Sequence, residues 1–191
     1  MNFNGIATLN KTYIIKFNKL TEDVLKVGDI ELDIDTRYNR QHHAMDRGEV
    51  VCTTEDDNIK VGDTALCQYL VVEEKNRYHE DTTGFYQIAN RDQIFAILNK
   101  DEIKMLDEYV LIDPIEVESG DFEEVDGILI PRQEKQGKET LGIVVSAGDK
   151  VTNVKVGDKV RLHKSAHYPL KIDGKQYYRV RSDVGLLFKY V

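Results

Sequence analysis

The tetrapeptide Lys-Val-Gly-Asp occurs twice in this sequence, at residues 60–63 and again at residues 155–158. A glycine that opens a β-branched segment precedes each copy, Gly48 the first and Gly142 the second. An apolar run follows each copy. A glycine in such a turn can take a positive φ without steric cost, so both tetrapeptides are predicted to be tight turns between strands.

The segments around these turns extend the repeat. Tyr13 matches Tyr109 at the start of an apolar segment, and residues 85–88 match residues 177–180. The matches keep the same order along the chain with few gaps. A repeat length of roughly 95 residues predicts two tandem domains rather than a solenoid. The boundary is expected near Lys100.

The two predicted domains, residues 1–100 and 101–191, both have the pattern of β structure. Their strand candidates are short, rich in Val, Ile, Tyr and Leu, and separated by turns that contain Gly-Asp or Asn. Residues 93–98 are predicted to form a strand as well, because they align with residues 185–188. Neither domain has the alternation of strands and helices that a parallel sheet needs. The predicted fold class is all-β, with two tandem small irregular barrels.

An apolar tripeptide stands in a charged stretch of the second domain. Ile128, Leu129 and Ile130 lie between Gly127 and Pro131, with acidic residues before them and a polar segment after them. Nothing nearby in the sequence could bury three aliphatic side chains. The tripeptide is therefore either a core strand or edge hairpin, or a surface that binds the groove of another protein. Pro131 and the flanking charges suit a gatekeeper role against aggregation.

Composition and charge restrict the class of protein. The chain has 191 residues, a net charge of −8 and two cysteines, Cys52 and Cys67. Two cysteines make no disulfide framework, so a reducing, cytoplasmic location is expected. The N-terminus lacks a signal peptide pattern, and no segment approaches the ~18 apolar residues of a membrane helix. The acidic balance argues against nucleic acid as the main partner, because phosphate contacts need clustered Lys and Arg.

Taken together, these motifs resemble the GroES-type co-chaperonins, the ten-kilodalton chaperonin family. In the second domain a strand from Tyr109 precedes the polar loop with Gly127, and residues 142–145 and the Val-Gly-Asp turn at residues 156–158 follow. No single element is specific, but their combination and order are. The first domain is a weaker match over about residues 11–98, so the chain resembles a tandem duplication of this family's domain.

The resemblance implies a binding protein rather than an enzyme. Such a protein caps a GroEL-type chaperonin ring, assists ATP-dependent protein folding and needs no cofactor of its own. In that family an aliphatic tripeptide between the first two strands docks on the chaperonin, so Ile128, Leu129 and Ile130 would be the anchor. Gly127 and Pro131 would shape its turn. The resemblance also implies a homo-oligomeric ring, although two-domain chains cannot fill seven positions in whole numbers.

The corresponding loop of the first domain, residues 18–47, holds a divergent version of the motif. Ile30 and Leu32 are in place, but Glu31 lies between them, and such alternation also suits a half-buried strand. We therefore expect at most a second, weaker anchor at Ile30 and Leu32. A subunit contact is another role for this loop, through its neighbouring aromatic and polar residues Tyr38, Arg40, His42 and His43.

Two connections are short where lids of this family often carry a roof hairpin. Only residues 53–58 and residues 149–153 fill those places. Neither segment is long enough for a substantial hairpin, which argues against a closed dome. A shortened roof resembles the co-chaperonins that some bacteriophages encode.

Enzymatic and metal-binding functions have little support in the sequence. The same barrel occurs in zinc alcohol dehydrogenases, but the Gly-x-Gly-x-x-Gly of their nucleotide-binding domain is absent. His163 and His167 are four residues apart, which brings two ligands together only on a helix, whereas this segment is predicted to be a strand that ends in a loop. The alternative function is a structural or assembly protein, for example a viral one, that uses the barrels for oligomerisation without binding a chaperonin.

Overall fold

The computed structural model shows an all-β chain, as predicted. It describes the following residues: 3, 7–21, 24–27, 30–33, 44–54, 58–99, 102–115, 122–125, 128–131, 140–163 and 167–190. The chain folds into two compact units, Met1–Lys104 and Met105–Val191. Within the described residues the helical segments are three short 3-10 turns, at Tyr69–Val72, Glu74–Asn76 and Arg91–Gln93.

The strands account for most of the described structure. In chain order they are β1 (Thr12–Phe17), β2 (Val24–Val27), β3 (Ile30–Asp33), β4 (Arg47–Cys52), β5 (Thr64–Cys67), β6 (Arg77–Asp81), β7 (Gly84–Asn90), β8 (Ile94–Asn99), β9 (Glu102–Met105), β10 (Tyr109–Pro114), β11 (Phe122–Val125), β12 (Ile128–Pro131), β13 (Thr140–Ala147), β14 (Lys159–Leu162), β15 (His167–Ile172), β16 (Lys175–Arg181) and β17 (Leu186–Lys189). The strand predicted at residues 93–98 is β8, which begins one residue later, after a 3-10 turn.

The two large sheets have the same strand order. The first sheet runs β6-β7-β1-β4-β5-β8-β9, and the second runs β15-β16-β10-β13-β14-β17. Six strands of the first sheet thus have a counterpart in the second, and β9 has none among the described residues. There are also two small two-stranded sheets. Sheet β2-β3 lies in the chain between β1 and β4, and sheet β11-β12 lies between β10 and β13. This architecture is consistent with two GroES-like barrels.

The two predicted turns have matching hydrogen bonds. In the second unit the N–H of Gly157 donates to the carbonyl oxygen of Val144 at 2.9 Å, and Asp158 Oδ2 accepts from the N–H of Lys155 at 2.8 Å. The turn at residues 60–63 repeats these two bonds at 2.8 and 2.7 Å. The glycine of each turn has a φ of +92°, which glycine adopts without the clash that a Cβ would cause. The repeat of sequence is therefore a repeat of backbone structure.

Irregular pairing at the first strand of each sheet corrects the sequence alignment. The register of β1 on β4 shifts just before Ile15, and that of β10 on β13 shifts just before Ile112. These two positions correspond, so Tyr13 corresponds to Val110. The predicted match of Tyr13 with Tyr109 is wrong by one residue, because it followed the aromatic residue type rather than the backbone pairing.

Strand β7 needs the same correction. Gln87 pairs with Ile15, and Tyr178 pairs with Ile112, so Gln87 corresponds to Tyr178 and not to Arg179. The side chain of Gln87 is wholly buried. Neither its Nε2 nor its Oε1 has a hydrogen-bond partner within the described part of the chain. A buried amide without partners costs free energy, so this position is a weak point in the first unit.

Each unit has a core of its own. In the second unit the core cluster is aliphatic and consists of Val110, Ile112, Val144, Val154, Val160, Leu162 and Val180. In the first unit the largest fully buried side chains include Tyr13, Phe17, Phe95 and Ile59. Residues 148–158, which connect β13 to β14, form no strand. Residues 149–153, which were predicted to be too short for a substantial hairpin, therefore form no hairpin.

Candidate functional site

The candidate site is an excursion of the chain from the second sheet. Strand β10 ends at Pro114 and β13 begins at Thr140, and these two strands are direct neighbours. At their ends the N–H of Ile115 donates to the carbonyl oxygen of Leu141 at 2.9 Å. The excursion therefore begins and ends at one place on the sheet. Hairpin β11–β12 is the described part of this excursion.

The predicted anchor lies in the second strand of this hairpin. Ile128, Leu129, Ile130 and Pro131 form β12, whereas Gly127 lies outside the described residues. Strand β12 pairs with β11, and it is not among the six strands of the large sheet. The sequence left two alternatives here, a polar loop that carries a binding tripeptide and a core strand or edge hairpin. The structure has paired strands there, because aliphatic residues next to Phe and Val favour extended pairing.

The register divides the tripeptide between the two faces of the hairpin. Val125 pairs with Ile128, and Glu124 pairs with Leu129. Successive residues of a strand lie on opposite faces of a sheet. By this alternation Ile128 and Ile130 share the face of Val125, and Leu129 lies on the other face with Glu124. One face of the hairpin thus carries two of the three anchor residues.

Sequence reasoning missed β11, the partner strand. A signal for it was present, because Asp126 and Gly127 stand between Val125 and Ile128, and Asp-Gly is a favoured pair for two-residue hairpin loops. The acidic residues around Phe122 concealed it, since they made the whole stretch look like solvated loop.

A glycine at the base allows the two strands to approach each other closely. A Cβ at Gly142 would lie 2.2 Å from Cγ2 of Ile112 and 2.7 Å from the carbonyl oxygen of Asp113. At Gly48, the equivalent position of the first unit, the two nearest atoms would lie at 2.7 Å. The Asp113 carboxylate also accepts a hydrogen bond from Lys175 Nζ, which raises the pKa of that lysine. The excursion therefore starts from tightly packed backbone.

The first unit has a comparable hairpin, β2–β3, in the same place between its first two sheet strands. The segment is a strand, which the alternation allowed, but it is not half-buried, because all four residues of β3 are exposed. Ile30 is 62% exposed and Leu32 is 48% exposed. Glu31 does not interrupt them, since residues at i and i+2 lie on the same face of a strand. Tyr38, Arg40, His42 and His43 lie outside the described residues.

The apolar positions of this first hairpin share a face. Val27 pairs with Ile30 and Leu25 pairs with Leu32. By strand alternation these four positions lie together on one face, and the other face carries Val24, Lys26, Glu31 and Asp33. The first unit thus has four aliphatic positions on one face, although Glu31 interrupts the motif in the sequence.

The described residues contain no cluster of metal-ligating side chains. No group of three His, Cys, Asp or Glu residues among them could hold a metal ion. His163 follows β14 and His167 begins β15, so no helix brings them together. Cys52 and Cys67 are buried and unbonded to each other, and burial raises the pKa of the Cys67 thiol. No helix of the described residues is long and apolar enough to cross a membrane.

Comparison with known families gives a match in the second unit. Residues 102–184 match the family described as the chaperonin 10 Kd subunit, Cpn10. The matched segment extends from β9 to just before β17 and includes hairpin β11–β12. No individual curated protein matches the chain. This family is not one of enzymes, and it implies a chaperonin partner in general. Together with the all-β architecture, the match supports a GroES-type domain at residues 102–184 and a function of the co-chaperonin type.

Proposed function

We propose that this chain is a co-chaperonin that caps a GroEL-type chaperonin ring and assists ATP-dependent protein folding. One observation carries the proposal: the aliphatic strand β12 lies in a hairpin outside the six-stranded sheet, within the segment that matches the chaperonin 10 Kd subunit. The proposed anchor consists of Ile128, Leu129 and Ile130. Gly127 comes directly before it and Pro131 directly after it.

The energetics of such an anchor suit a cap that must be released. Burial of one aliphatic side chain stabilises a complex by roughly 1.5–3 kcal/mol, and ordering a residue costs about 1–2 kcal/mol. Pairing of β12 with β11 lowers that cost, because the anchor backbone is already extended. A single hairpin still binds weakly. Several hairpins in one assembly bind well, since later contacts form at high effective concentration.

The finer features of the proposal concern the whole chain. It forms a homo-oligomeric ring in the cytoplasm and needs no cofactor, because ATP belongs to the chaperonin. Two tandem domains, residues 1–100 and 101–191, arose by duplication, which the common strand order and the matching turn hydrogen bonds support. The strandless connection at residues 148–158 supports a lid with little roof, of the kind that some bacteriophages encode.

Hairpin β2–β3 is proposed as a second, weaker anchor. The exposure of Ile30 and Leu32 on one face supports this role. Strand β3 contributes two aliphatic residues, whereas β12 contributes three. Glu31 stands in β3 where β12 has Leu129, and this charge is the reason to expect weaker binding.

A pull-down on an immobilised GroEL-type chaperonin with nucleotide tests the proposal. The wild-type chain is retained, and the variant Ile128→Ser with Leu129→Ser and Ile130→Ser is not. The matched control replaces the exposed residues Val156 and Val184 of the same unit with Ser and is retained. Retention of the triple variant refutes the anchor. If the wild-type chain is not retained, the co-chaperonin function is refuted, and a structural or assembly protein is the better explanation.

Single replacements then show which face of the hairpin docks. Because Ile128 and Ile130 share one face, Ile128→Ser and Ile130→Ser should each weaken binding by about 10- to 100-fold. Leu129→Ser on the opposite face should weaken it less. Titration of a labelled chain against the chaperonin gives the three dissociation constants. Equal losses for all three variants would contradict docking through one face.

A further inference from the structure

Hairpin β15–β16 concentrates positive charge in a chain that is acidic as a whole. Its two strands contain four Lys or Arg residues and no Asp or Glu. The corresponding hairpin of the first unit, β6–β7, contains one Arg, one Glu and one Asp. Residues 159–191 hold eight Lys or Arg residues and two Asp, although the net charge of the chain is −8. The positive charge is therefore local to this part of the second unit.

Three of the cations lie on the outer face of β16. Val180 belongs to the core of the second unit, and successive residues of a strand lie on opposite faces of a sheet. By this alternation Lys175, Arg179 and Arg181 lie on the face away from the core. Tyr177 stands between the first two on the same face. Strand β16 thus presents cations and an aromatic ring together.

Tyrosine rings support these cations. Tyr168 pairs with Arg179 across the hairpin, and Arg179 Cζ lies 4.7 Å from the ring centre of Tyr168 and 5.8 Å from that of Tyr109. Lys175 Nζ lies 5.0 Å from the ring centre of Tyr177. These distances are typical of cation–π contacts. A guanidinium stacks through its face and donates hydrogen bonds through its edge, so Arg179 can pack on tyrosine and bind an anion together. Tyr168 is 57% exposed.

The first unit has no cations at the equivalent positions. The strand registers of β7 and β16 on their neighbours identify these positions. Lys175, Arg179 and Arg181 correspond, in that order, to Gly84, Ile88 and Asn90. The shared fold therefore does not require the three cations. Their presence in one copy alone indicates a function that belongs to the second unit.

We propose that the outer face of hairpin β15–β16 binds single-stranded nucleic acid. Each nucleotide of a single strand offers a base that stacks on an aromatic ring and a phosphate that pairs with Lys or Arg. The hairpin presents both kinds of group. An acidic polypeptide would use the cations but leave the tyrosine rings without a stacking partner, and a duplex keeps its bases stacked on each other. This inference does not depend on binding to a chaperonin.

Nearby carboxylates do not block this face. Asp113 accepts a hydrogen bond from Lys175 Nζ, and Asp183 Oδ2 accepts one from Arg181 Nη2 at 2.8 Å. All four side chains are substantially exposed, and exposed ion pairs are weak, so a phosphate can replace either carboxylate. The Debye length at 0.15 M ionic strength is about 8 Å, which screens the more distant acidic residues. The net negative charge, which argued against nucleic acid as the main partner, therefore leaves this local site accessible.

Fluorescence anisotropy of a labelled oligothymidylate, titrated with the full chain over a series of salt concentrations, tests the proposal. The wild type should bind, and its affinity should fall as the salt concentration rises. The double variant Arg179→Ala with Arg181→Ala should bind more weakly, with a slope of log affinity against log salt that is smaller by about 1.4, as expected for two lost phosphate contacts. The matched control, Lys60→Ala with Lys155→Ala, removes the same charge from exposed residues of the two turns and should bind like the wild type.

Replacements of Tyr168 test the stacking contact separately from charge. Tyr168→Ala should weaken binding by roughly 5- to 150-fold, the effect of one lost base stack. Tyr168→Phe keeps the ring and should retain the affinity of the wild type. Circular dichroism and thermal melting establish that each variant remains folded.

Several results would overturn the proposal. They are a wild-type chain that does not bind the oligonucleotide at low salt, a folded Arg179→Ala and Arg181→Ala variant with unchanged affinity, and equal affinity for the single strand and its duplex. Competition with polyglutamate addresses the remaining alternative. If polyglutamate displaces the labelled strand as well as unlabelled oligothymidylate does at equal charge concentration, the face recognises an acidic polypeptide instead.

Discussion

Gly142→Ala should strongly destabilise the second unit, because the base of the excursion has no room for a methyl group. The new Cβ would lie 2.2 Å from Cγ2 of Ile112 and 2.7 Å from the carbonyl oxygen of Asp113. Carbon atoms in contact prefer about 3.5–4.0 Å, so the strands must separate by more than about 1 Å. The carbonyl oxygen is backbone and cannot rotate away. Ile112 is itself wholly buried, so its side chain has no solvent to turn into.

The expected cost is at the upper end of the range for overpacked cores, about 3 kcal/mol. For a unit of this size that cost corresponds to a fall in Tm of roughly 12–24 °C. Differential scanning calorimetry measures it. Gly48→Ala is the matched variant in the first unit, and its wider spacing of 2.7 Å predicts a smaller fall in the other transition. A Gly142→Ala protein that melts within about 2 °C of the wild type would refute this account of the packing.

Three further predictions concern single side chains. Gln87→Leu should stabilise the first unit by about 1–3 kcal/mol in urea denaturation, because it removes a buried amide without partners; destabilisation would mean that the amide has a stabilising role. Asp158→Asn should destabilise the second unit at neutral pH. The hydrogen bond from Lys189 holds the pKa of Asp158 below its usual value, so ionised Asp158 stabilises the fold above about pH 4, and the stabilisation is lost as pH falls through the folded-state pKa. The urea midpoints of the two proteins should therefore converge in acid, and a constant difference down to about pH 2 would contradict the prediction. The thiol of Cys67 should react with a thiol reagent at pH 8 only as fast as the first unit unfolds, since it is buried and its pKa is raised; rapid labelling of the folded protein would contradict its burial.

Much of the fold could be predicted from the sequence, because its turns have strong local preferences. The Lys-Val-Gly-Asp repeats predicted tight turns, and the backbone at residues 60–63 and 155–158 has matching hydrogen bonds. The glycines before them predicted a common strand, and close packing against the first strand explains both. Alternating short apolar segments were sufficient to assign the fold class.

The register of the strands could not be read from residue types. Tyr13 and Tyr109 look equivalent in the sequence. The strand registers show that the position equivalent to Tyr13 is Val110. A shift of one residue exchanges the two faces of a strand, and residue identity does not detect it. The backbone pairing of a strand with its two neighbouring strands does detect such a shift.

The sequence identifies the candidate segment, but its strand pairing could not be predicted. Ile128, Leu129 and Ile130 stood out as apolar residues among charges, which indicated a binding segment. Their pairing with β11 depends on residues that look solvated when read singly. In the first unit Glu31 separates Ile30 from Leu32 in the sequence, whereas in a strand this spacing places Ile30 and Leu32 on one face.

The base of the excursion has a consequence for how this site can vary. Strands β10 and β13 stay paired up to the bond between Ile115 and Leu141, so the sheet fixes the two ends of the excursion whatever lies between them. For a segment with fixed ends, each doubling of length costs only about 0.6 kcal/mol of closure entropy. The reach and the sequence of the hairpin can therefore change over evolution with little effect on the stability of the domain. Selection can act on the binding segment and on the sheet almost independently.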